Sequence, residues 1–167
     1  MTHATLNTPL GALTLFEEAD ALVAIEWGAV AASHATPLLD AATAQIDAYF
    51  DGTLRAFDLP LRPKGTVFQH SVWDALRGIG YGRTVTYAQL AAALGSAARA
   101  VASACGRNPL PIVVPCHRVI AADGRLGGYS SGDGIDTKRL LLCLEGALAS
   151  QQPDFRGSRR STPGARP

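Results

Sequence analysis

A cysteine followed directly by a histidine, Cys116-His117, is the part of this sequence most suggestive of chemistry. The pair ends an apolar run and lies between Pro115 and Arg118. An unperturbed thiol has a pKa of about 8.5 and is mostly protonated at neutral pH, so a nucleophilic cysteine needs a base and a favourable electrostatic setting. His117 and Arg118 are the local candidates for these roles. Neighbours in sequence need not face each other, so the dipeptide alone indicates catalysis only weakly.

The elements that must position this pair begin with a predicted antiparallel sheet. Alternating apolar stretches at residues 10–16 and 21–27 flank a polar segment, which predicts a β-hairpin. A helix is expected over residues 41–50, ended by Asp51-Gly52, and one more strand near residues 57–61. The segment Arg62-Pro63-Lys64-Gly65 combines helix breakers with charge and predicts a linker.

The rest of the chain is predicted to be helical. One helical face of residues 67–76 carries Val67, Phe68, Val72, Ala75 and Leu76, and the glycines of residues 78–82 end that helix. The fold class is therefore α/β (α+β). We expect an N-terminal α/β domain at residues 1–62 and a helical domain at residues 63–150. A disordered basic tail, rich in Pro, Gly, Ser and Arg, is expected at residues 151–167.

A helix-turn-helix pattern lies inside the helical domain. Thr86 can cap a helix that runs to Leu94, Gly95 interrupts it, and Ser96 can cap a second helix that ends near Cys105. The second helix is made almost entirely of small residues with one long cation, Arg99. It is either a good helix former that packs closely or a slim helix that enters a DNA groove with Arg99 as its probe.

Charge is distributed unevenly along the chain, whose formal net charge is +1. Residues 1–61 hold one basic residue, Arg55, against eight acidic ones, whereas residues 62–150 hold ten basic residues against five acidic ones. This asymmetry indicates a polyanion partner for the second part, with ordinary surface charge as the alternative.

Several classes are disfavoured by composition. No apolar run approaches the roughly 20 residues of a membrane helix, and the N-terminus lacks the pattern of a signal peptide, so a cytoplasmic protein without membrane contact is expected. Three cysteines, Cys105, Cys116 and Cys143, form no C-x-x-C pair, which argues against a disulfide framework or a structural zinc site. No metal and no cofactor are predicted.

Six separated motifs carry a family resemblance. The most specific one is Asn108-Pro109 followed by the segment Ile112 to Val119. The supporting motifs are Phe68-Gln69 with Val72-Trp73, Tyr81 to Thr84 with Thr86-Tyr87, Ala97 to Val101, Gly127 to Tyr129, and Lys138-Arg139 with Leu144 to Gly146. Over residues 5–148 the chain resembles the O6-alkylguanine-DNA alkyltransferases, also called methylated-DNA-protein-cysteine methyltransferases.

The resemblance implies roles at a reaction centre. Cys116 is similar to the residue that accepts the alkyl group, His117 to the base that removes its proton, and Glu145 to the carboxylate that orients His117. Asn108 resembles the residue that holds the turn carrying the cysteine. Tyr87 resembles the phenol that hydrogen-bonds the damaged base and helps to protonate the leaving guanine.

The resemblance also implies a pocket for a flipped alkylguanine. Tyr129 and Ser130 match the loop that covers the base, and the backbone of Val119 matches an acceptor for its amino group. Pro111 would line the pocket, and Lys138 corresponds to a lysine near the site.

DNA contacts are implied for the second helix of the helix-turn-helix. Arg99 resembles the arginine that fills the gap left in the base stack, and the small residues allow close approach to the minor groove. The accompanying DNA-binding positions are Ala98, Ala100, Ser103 and Arg107. Compared with the family pattern, the turn between the two helices is short and lacks a proline, whereas the loop from Tyr129 to Asp136 is long.

The function implied is DNA repair by direct reversal. A methyl or larger alkyl group would pass irreversibly from O6-alkylguanine, with O4-alkylthymine as a further candidate, to Cys116 in a single-turnover methylated-DNA-protein-cysteine S-methyltransferase. The partner would be double-stranded DNA containing alkylated guanine, and the protein a monomer. Two alternatives stay open: a sensor of alkylated DNA that does not catalyse, and a Cys-His-Glu hydrolase, which would turn over repeatedly.

Overall fold

A computed structural model describes residues 1–148. The chain begins with an antiparallel sheet of three strands, β1 (Thr2–Thr8), β2 (Gly11–Glu18) and β3 (Ala21–Trp27), in the order β1-β2-β3. The predicted hairpin is confirmed as β2 and β3, while β1 is an additional strand that the apolar pattern did not reveal. The turn between β2 and β3 is tight, since Ala19 and Asp20 both have positive φ.

One face of the sheet is covered by α1 (Pro37–Phe50). Thr36 caps this helix by accepting a hydrogen bond from the Leu39 amide, and Pro37 begins it, so α1 starts earlier than the predicted residue 41. The predicted end of the helix at Asp51 is confirmed. Its buried face consists of Leu39, Ala42, Ile46 and Tyr49.

The strand predicted near residues 57–61 is wrong. Only Leu61 forms an isolated parallel bridge with Leu22. The two hydrogen bonds there run from the Leu22 amide to Pro60 and from the Arg62 amide to Leu22. Pro60 has no N–H group with which to extend the ladder, which is why the pairing stays at one residue.

The helical part begins with α2 (Val67–Arg77), capped by Thr66 and Gln69 in a reciprocal pair of hydrogen bonds. The predicted end of the helix at Gly78 is confirmed. The predicted apolar face is wrong at its first turn, because Val67 is 89% exposed and Phe68 36% exposed. Trp73 occupies the inner face instead, with its indole N–H donating to the Ala104 carbonyl at 2.9 Å.

The helix-turn-helix pattern is confirmed as α3 (Tyr87–Leu94) and α4 (Ala98–Gly106). Thr86 caps α3, and Gly95 ends it in the left-handed conformation. Ser96 is wrong as the cap of α4, since Ala97 occupies that position without a side-chain hydrogen bond. The Ser96 amide bonds back to the Ala91 carbonyl, which makes Ser96 part of the end of α3.

A two-residue parallel pairing ties α3 to the cysteine segment. Strand β4 (Val85–Thr86) pairs with β5 (Val119–Ile120). Strand β5 directly follows a short 3₁₀ helix at Cys116–Arg118. The last described helix, α5 (Ile135–Leu144), contacts that 3₁₀ helix. Among residues 1–148, no helix is both long and apolar enough to cross a membrane. The predicted basic tail at residues 151–167 lies outside the described residues.

The position of Gly82 against the end of α5 provides a test of this packing. Gly82 has a φ of +76°, and a Cβ added there would lie 3.0 Å from the Glu145 carbonyl oxygen. We expect Gly82→Ala to lower the free energy of unfolding by about 2–3 kcal/mol, from backbone strain plus crowding, measured by urea denaturation.

The matched control is Gly52→Ala, because Gly52 has a nearly identical φ of +78° and no atom within 4 Å of an added Cβ. Its cost should be limited to about 1 kcal/mol of backbone strain. Equal losses in the two variants would show that Gly82 does not pack closely on Glu145.

Candidate active site

The turn that carries Cys116 is held by the side chain of Asn108. Its amide nitrogen Nδ2 donates to the Val114 carbonyl at 2.8 Å, and its Oδ1 accepts from the Leu110 amide at 2.9 Å. Within this turn Ile112 has a φ of 74°, which is unusual for a β-branched residue. Asn108 thus hydrogen-bonds the backbone on both sides of a residue with an unfavourable backbone conformation.

Cys116 lies on the wall of a cavity of about 350 Å³. Only 5% of the residue is exposed, yet it is among the residues that line this space. The wall is made by α3, α4 and the loop after β5, through Tyr87, Ala102, Cys105, Gly106, Cys116, Gly128, Tyr129 and Ser130. We call this space the Cys116 cavity.

The two residues that follow Cys116 belong to a buried cluster around the carboxylate of Glu145. Its Oε1 accepts from His117 Nε2 at 2.7 Å, from Arg118 Nη2 at 2.9 Å and from the Tyr49 hydroxyl at 2.8 Å. Its Oε2 accepts from Arg118 Nε at 2.9 Å. The remaining Arg118 nitrogen, Nη1, donates to the Ile79 carbonyl at 2.6 Å. Both charges are buried, and their hydrogen-bonding groups are satisfied.

These contacts determine the protonation of His117. Burial raises the pKa of Glu145, but the hydrogen bonds from His117 and Arg118 outweigh it and bring that pKa to about 2. Burial lowers the pKa of His117 in spite of the nearby carboxylate, so the imidazole is neutral at neutral pH. An ionised carboxylate only accepts hydrogen bonds, so the proton resides on Nε2. Nδ1, which has no hydrogen-bond partner among residues 1–148, is therefore the basic nitrogen.

Burial raises the pKa of the Cys116 thiol, while the Asn108 amide and the charge of Lys138 act in the opposite direction. The sulfur is therefore a thiol at rest rather than a preformed thiolate. A reaction at this sulfur must move its proton at the time of reaction, for which the His117 lone pair is the available base.

Lys138 and Tyr87 form a second polar pair at the Cys116 cavity. Lys138 is fully buried on α5, and its Nζ donates to the Tyr87 hydroxyl at 3.3 Å and to the Gly128 carbonyl at 3.4 Å. Burial lowers the pKa of Lys138 to about 8, whereas burial and the nearby thiols raise the pKa of Tyr87 to about 12. Tyr87 is thus a protonated phenol able to donate a hydrogen bond.

Comparison with known proteins agrees with this geometry. A family model described as 6-O-methylguanine DNA methyltransferase, ribonuclease-like domain, matches residues 1–63, and one described as the DNA binding domain of the same family matches residues 67–147. The methylated-DNA-protein-cysteine methyltransferase of Mycobacterium tuberculosis is 43% identical over 156 residues, covering 88% of this chain and 93% of that protein. The chain belongs to the 6-O-methylguanine DNA methyltransferase family.

Two further comparisons support the membership. The methylated-DNA-protein-cysteine methyltransferase of Methanosarcina acetivorans is 54% identical over 108 residues, covering 64% of this chain and 68% of that protein. The crystal structure of Mycobacterium tuberculosis OGT in complex with DNA superposes with a TM-score of 0.80 at 41% identity, covering 88% of this chain and 94% of that one. The resemblance seen in the sequence is confirmed.

Not all of the residues predicted for the pocket reach the cavity in this 6-O-methylguanine DNA methyltransferase family member. Tyr129 and Ser130 line it, and the Ser130 hydroxyl donates to the Gly106 carbonyl at 2.8 Å. Pro111 and Val119 are buried but are not among the lining residues. Lys138 does not line the cavity but donates to Tyr87 and Gly128, which do. Their roles toward a base remain predictions.

The predicted DNA-binding positions share the outer face of α4. Arg99 and Ser103 are exposed there with Ala98, Ala100 is half-buried, and Arg107 is exposed just after the helix. The inner face buries Val101, Ala104 and Cys105. Because Ala102 and Gly106 of the same helix line the Cys116 cavity, the outer face of α4 borders the cavity.

Sequence reasoning missed three contributors to the site. Tyr49 donates to Glu145 from 96 residues away, and no local signal distinguishes it from an ordinary core aromatic. Cys105 and Ala102 line the cavity, although neither was among the predicted pocket residues. Within residues 1–148 no group of three His, Cys, Asp or Glu side chains is arranged to bind a metal ion.

The depressed pKa of Glu145 predicts an acid-dependent loss of stability. The carboxylate stabilises the folded state above its unfolded pKa of about 4.5, and this contribution is lost as pH falls toward 2. We expect Glu145→Gln to be less stable than the unaltered protein by about 3–5 kcal/mol at pH 7, because Arg118 is left buried without its partner. The difference should shrink as pH falls from 5 to 2, measured by urea unfolding.

The control is Glu26→Gln, which removes an exposed carboxylate outside the buried cluster. This variant should retain the steep acid dependence of the unaltered protein. A Glu145→Gln variant that keeps the same dependence would show that the buried carboxylate does not carry it.

Proposed function

We propose that this chain repairs DNA by transferring an alkyl group from the O6 atom of guanine to the sulfur of Cys116, once per molecule. The observation that carries the proposal is a cysteine on a cavity wall, followed in the chain by a neutral histidine that a buried carboxylate holds through a hydrogen bond. Membership of the 6-O-methylguanine DNA methyltransferase family supplies the substrate class. The chain thereby joins a nucleophile, a base and an orienting acid at one place.

The proton route follows from the tautomer of His117. Nδ1 receives the proton of the Cys116 thiol through a water molecule. Nε2 retains its own proton, which it donates in a hydrogen bond to Glu145. The imidazolium that forms is stabilised by the carboxylate, which Arg118 holds ionised. The base is therefore preorganised before substrate arrives.

The bond changes are a single displacement. The Cys116 sulfur attacks the alkyl carbon in line, a carbon–sulfur bond forms, and the carbon–O6 bond breaks with its electron pair leaving on the guanine. Tyr87 donates a hydrogen bond to the leaving base, which favours the developing negative charge. The thioether product contains no bond that the histidine and carboxylate can cleave, so the cysteine is consumed.

The substrate has to leave the duplex to reach the sulfur. A cavity of about 350 Å³ lies within the range of small-molecule pockets, roughly 300–1,000 Å³. Flipping a damaged guanine costs a few kcal/mol, and the small residues of α4 allow the close approach to DNA that this needs. Arg99, exposed on the same face, is proposed to occupy the gap in the stack.

The finer assignments belong to the same proposal. We propose double-stranded DNA with alkylated guanine as the partner of a monomeric, cytoplasmic protein that uses no metal or cofactor. We also propose that the chain divides after residue 62 into an N-terminal domain that contains the sheet and a domain that carries Cys116.

The acceptor is tested by the mass of the intact protein after incubation with a duplex containing O6-methylguanine. We expect a single added methyl group, located on Cys116 by peptide mapping, with no further change at excess substrate. Cys116→Ser should gain no methyl group, because its hydroxyl is a far weaker nucleophile than a thiol.

Cys105→Ser is the matched control, since Cys105 lines the same cavity. This variant should still be methylated at Cys116. Methyl transfer that survives Cys116→Ser, or release of product beyond one equivalent, would contradict the proposal, and the second result would favour a hydrolase.

Lys138 is proposed to position charge for the reaction rather than to react. Its cation favours ionisation of Cys116 and is lost as pH rises through its pKa of about 8. We expect Lys138→Met to slow methyl transfer by about tenfold at pH 7, equivalent to ~1.4 kcal/mol. The ratio of the two rates should approach one between pH 8 and 9.5, measured by single-turnover kinetics.

Arg139→Gln serves as the control, because it removes a neighbouring cation of α5 that lies outside the Cys116 cavity. Its rate relative to the unaltered protein should not change across the same pH range. A Lys138→Met ratio that is constant with pH would show that the lysine acts through packing alone.

A further inference from the structure

A second cavity, of about 420 Å³, lies between the segment that follows α1 and the helical part of the chain. It shares no lining residue with the Cys116 cavity, although Pro115 and Arg118, which flank Cys116-His117, contribute to its wall. The other lining residues are Arg55, Ala56, Phe57, Leu59 and Leu61 after α1, Arg77 at the end of α2 with residues 78–81, and Ile112 and Val113. We call this space the interdomain cavity.

The interdomain cavity has a one-sided charge. Three arginines line it, Arg55, Arg77 and Arg118, and no acidic residue does. Arg55 is the one basic residue within residues 1–61, which carry eight acidic ones, and it lies here. Its guanidinium carbon is 5.2 Å from the centre of the Tyr81 ring, in the part of the chain beyond the linker. The arrangement concentrates positive charge beside an otherwise acidic segment.

Two of the three arginines have donors available for a ligand. Arg118 already donates to Glu145 and to the Ile79 carbonyl through all three of its nitrogens. Arg55 and Arg77 are exposed, and neither forms an ion pair with a residue of the described chain. A guanidinium presents paired N–H donors that match the oxygens of a phosphate group, and two such groups at one cavity favour an anion of that shape.

We propose that the interdomain cavity binds a phosphate group through Arg55 and Arg77, with Tyr81 and Phe57 as an aromatic wall beside it. The group belongs either to a free polyphosphate or nucleoside phosphate, or to the backbone of DNA. Because neither arginine lines the Cys116 cavity, the proposal is independent of alkyl transfer.

The test is a titration with inorganic pyrophosphate at constant ionic strength, followed by calorimetry and by the change in Tm. The unaltered protein should bind pyrophosphate and gain thermal stability, while Arg55→Gln/Arg77→Gln should bind at least about tenfold more weakly. Arg55→Lys keeps the charge but removes the paired donors and should give an intermediate loss. Both arginines are exposed, so these changes leave the core intact.

Arg62→Gln is the matched control, because it removes an exposed arginine of the linker that does not line the cavity. It should bind pyrophosphate like the unaltered protein. Equal binding by the double variant and the control would overturn the proposal, since loss of both cavity arginines would then weaken binding no more than loss of one arginine outside the cavity.

Parallel titrations with a nucleoside triphosphate and a short unalkylated duplex identify the source of the phosphate. A loss of nucleotide binding in the double variant assigns the cavity to a free phosphate ligand. A loss of duplex binding, with a smaller dependence of affinity on salt, assigns it to the DNA backbone. Failure of both arms overturns the proposal, whereas methyl transfer to Cys116 in the same variants would still report separately on the proposed function.

Discussion

The buried carboxylate of Glu145 is the constraint on which the rest of the site depends. Its two oxygen atoms accept hydrogen bonds from Tyr49 of α1 and from His117 and Arg118, all of which are buried. With Glu145 itself, three distant parts of the chain therefore meet at this carboxylate. A buried ion pair is not by itself stabilising, because both ions must leave water. Here the full set of donors offsets that cost and holds one arrangement of His117 and Arg118.

The same cluster explains why the cysteine can be both protected and reactive. Burial keeps Cys116 protonated and His117 neutral, and it lowers the pKa of Lys138 to about 8, which leaves this lysine mostly protonated at pH 7. Cys116, His117 and Tyr87 are therefore uncharged at neutral pH, while Lys138 and the Glu145–Arg118 pair carry the charges around them. A thiol in this state resists oxidation and unspecific alkylation, whereas a substrate in the cavity finds the base already oriented.

Local structure was predictable from the sequence where a single residue determines it. Thr86 and Gly95 defined the ends of α3 because a cap and a left-handed glycine act within one turn. Three predictions were wrong because other contacts compete with the local pattern. Ser96 takes part in the end of α3 instead of capping α4, and Trp73 occupies the inner face of α2 instead of Phe68. Residues 57–61 form no strand, because Pro60 has no amide N–H to donate. In the candidate site, the order of motifs predicted roles for Cys116, His117 and Glu145, of which the structure joins His117 and Glu145 by a hydrogen bond. The Tyr49 contact and the Lys138–Tyr87 pair depend on tertiary packing, which no local pattern encodes.

The short parallel pairing of β4 with β5 has a consequence for how this protein tolerates changes in length. The first residue of α3, Tyr87, directly follows one strand, and the 3₁₀ helix of Cys116 directly precedes the other. The separation of phenol and sulfur is thus fixed by two rungs of a ladder rather than by the long excursion of chain between them. A loss of residues from the turn between α3 and α4 changes the direction of Arg99, while the distance between the Tyr87 phenol and the Cys116 sulfur stays the same.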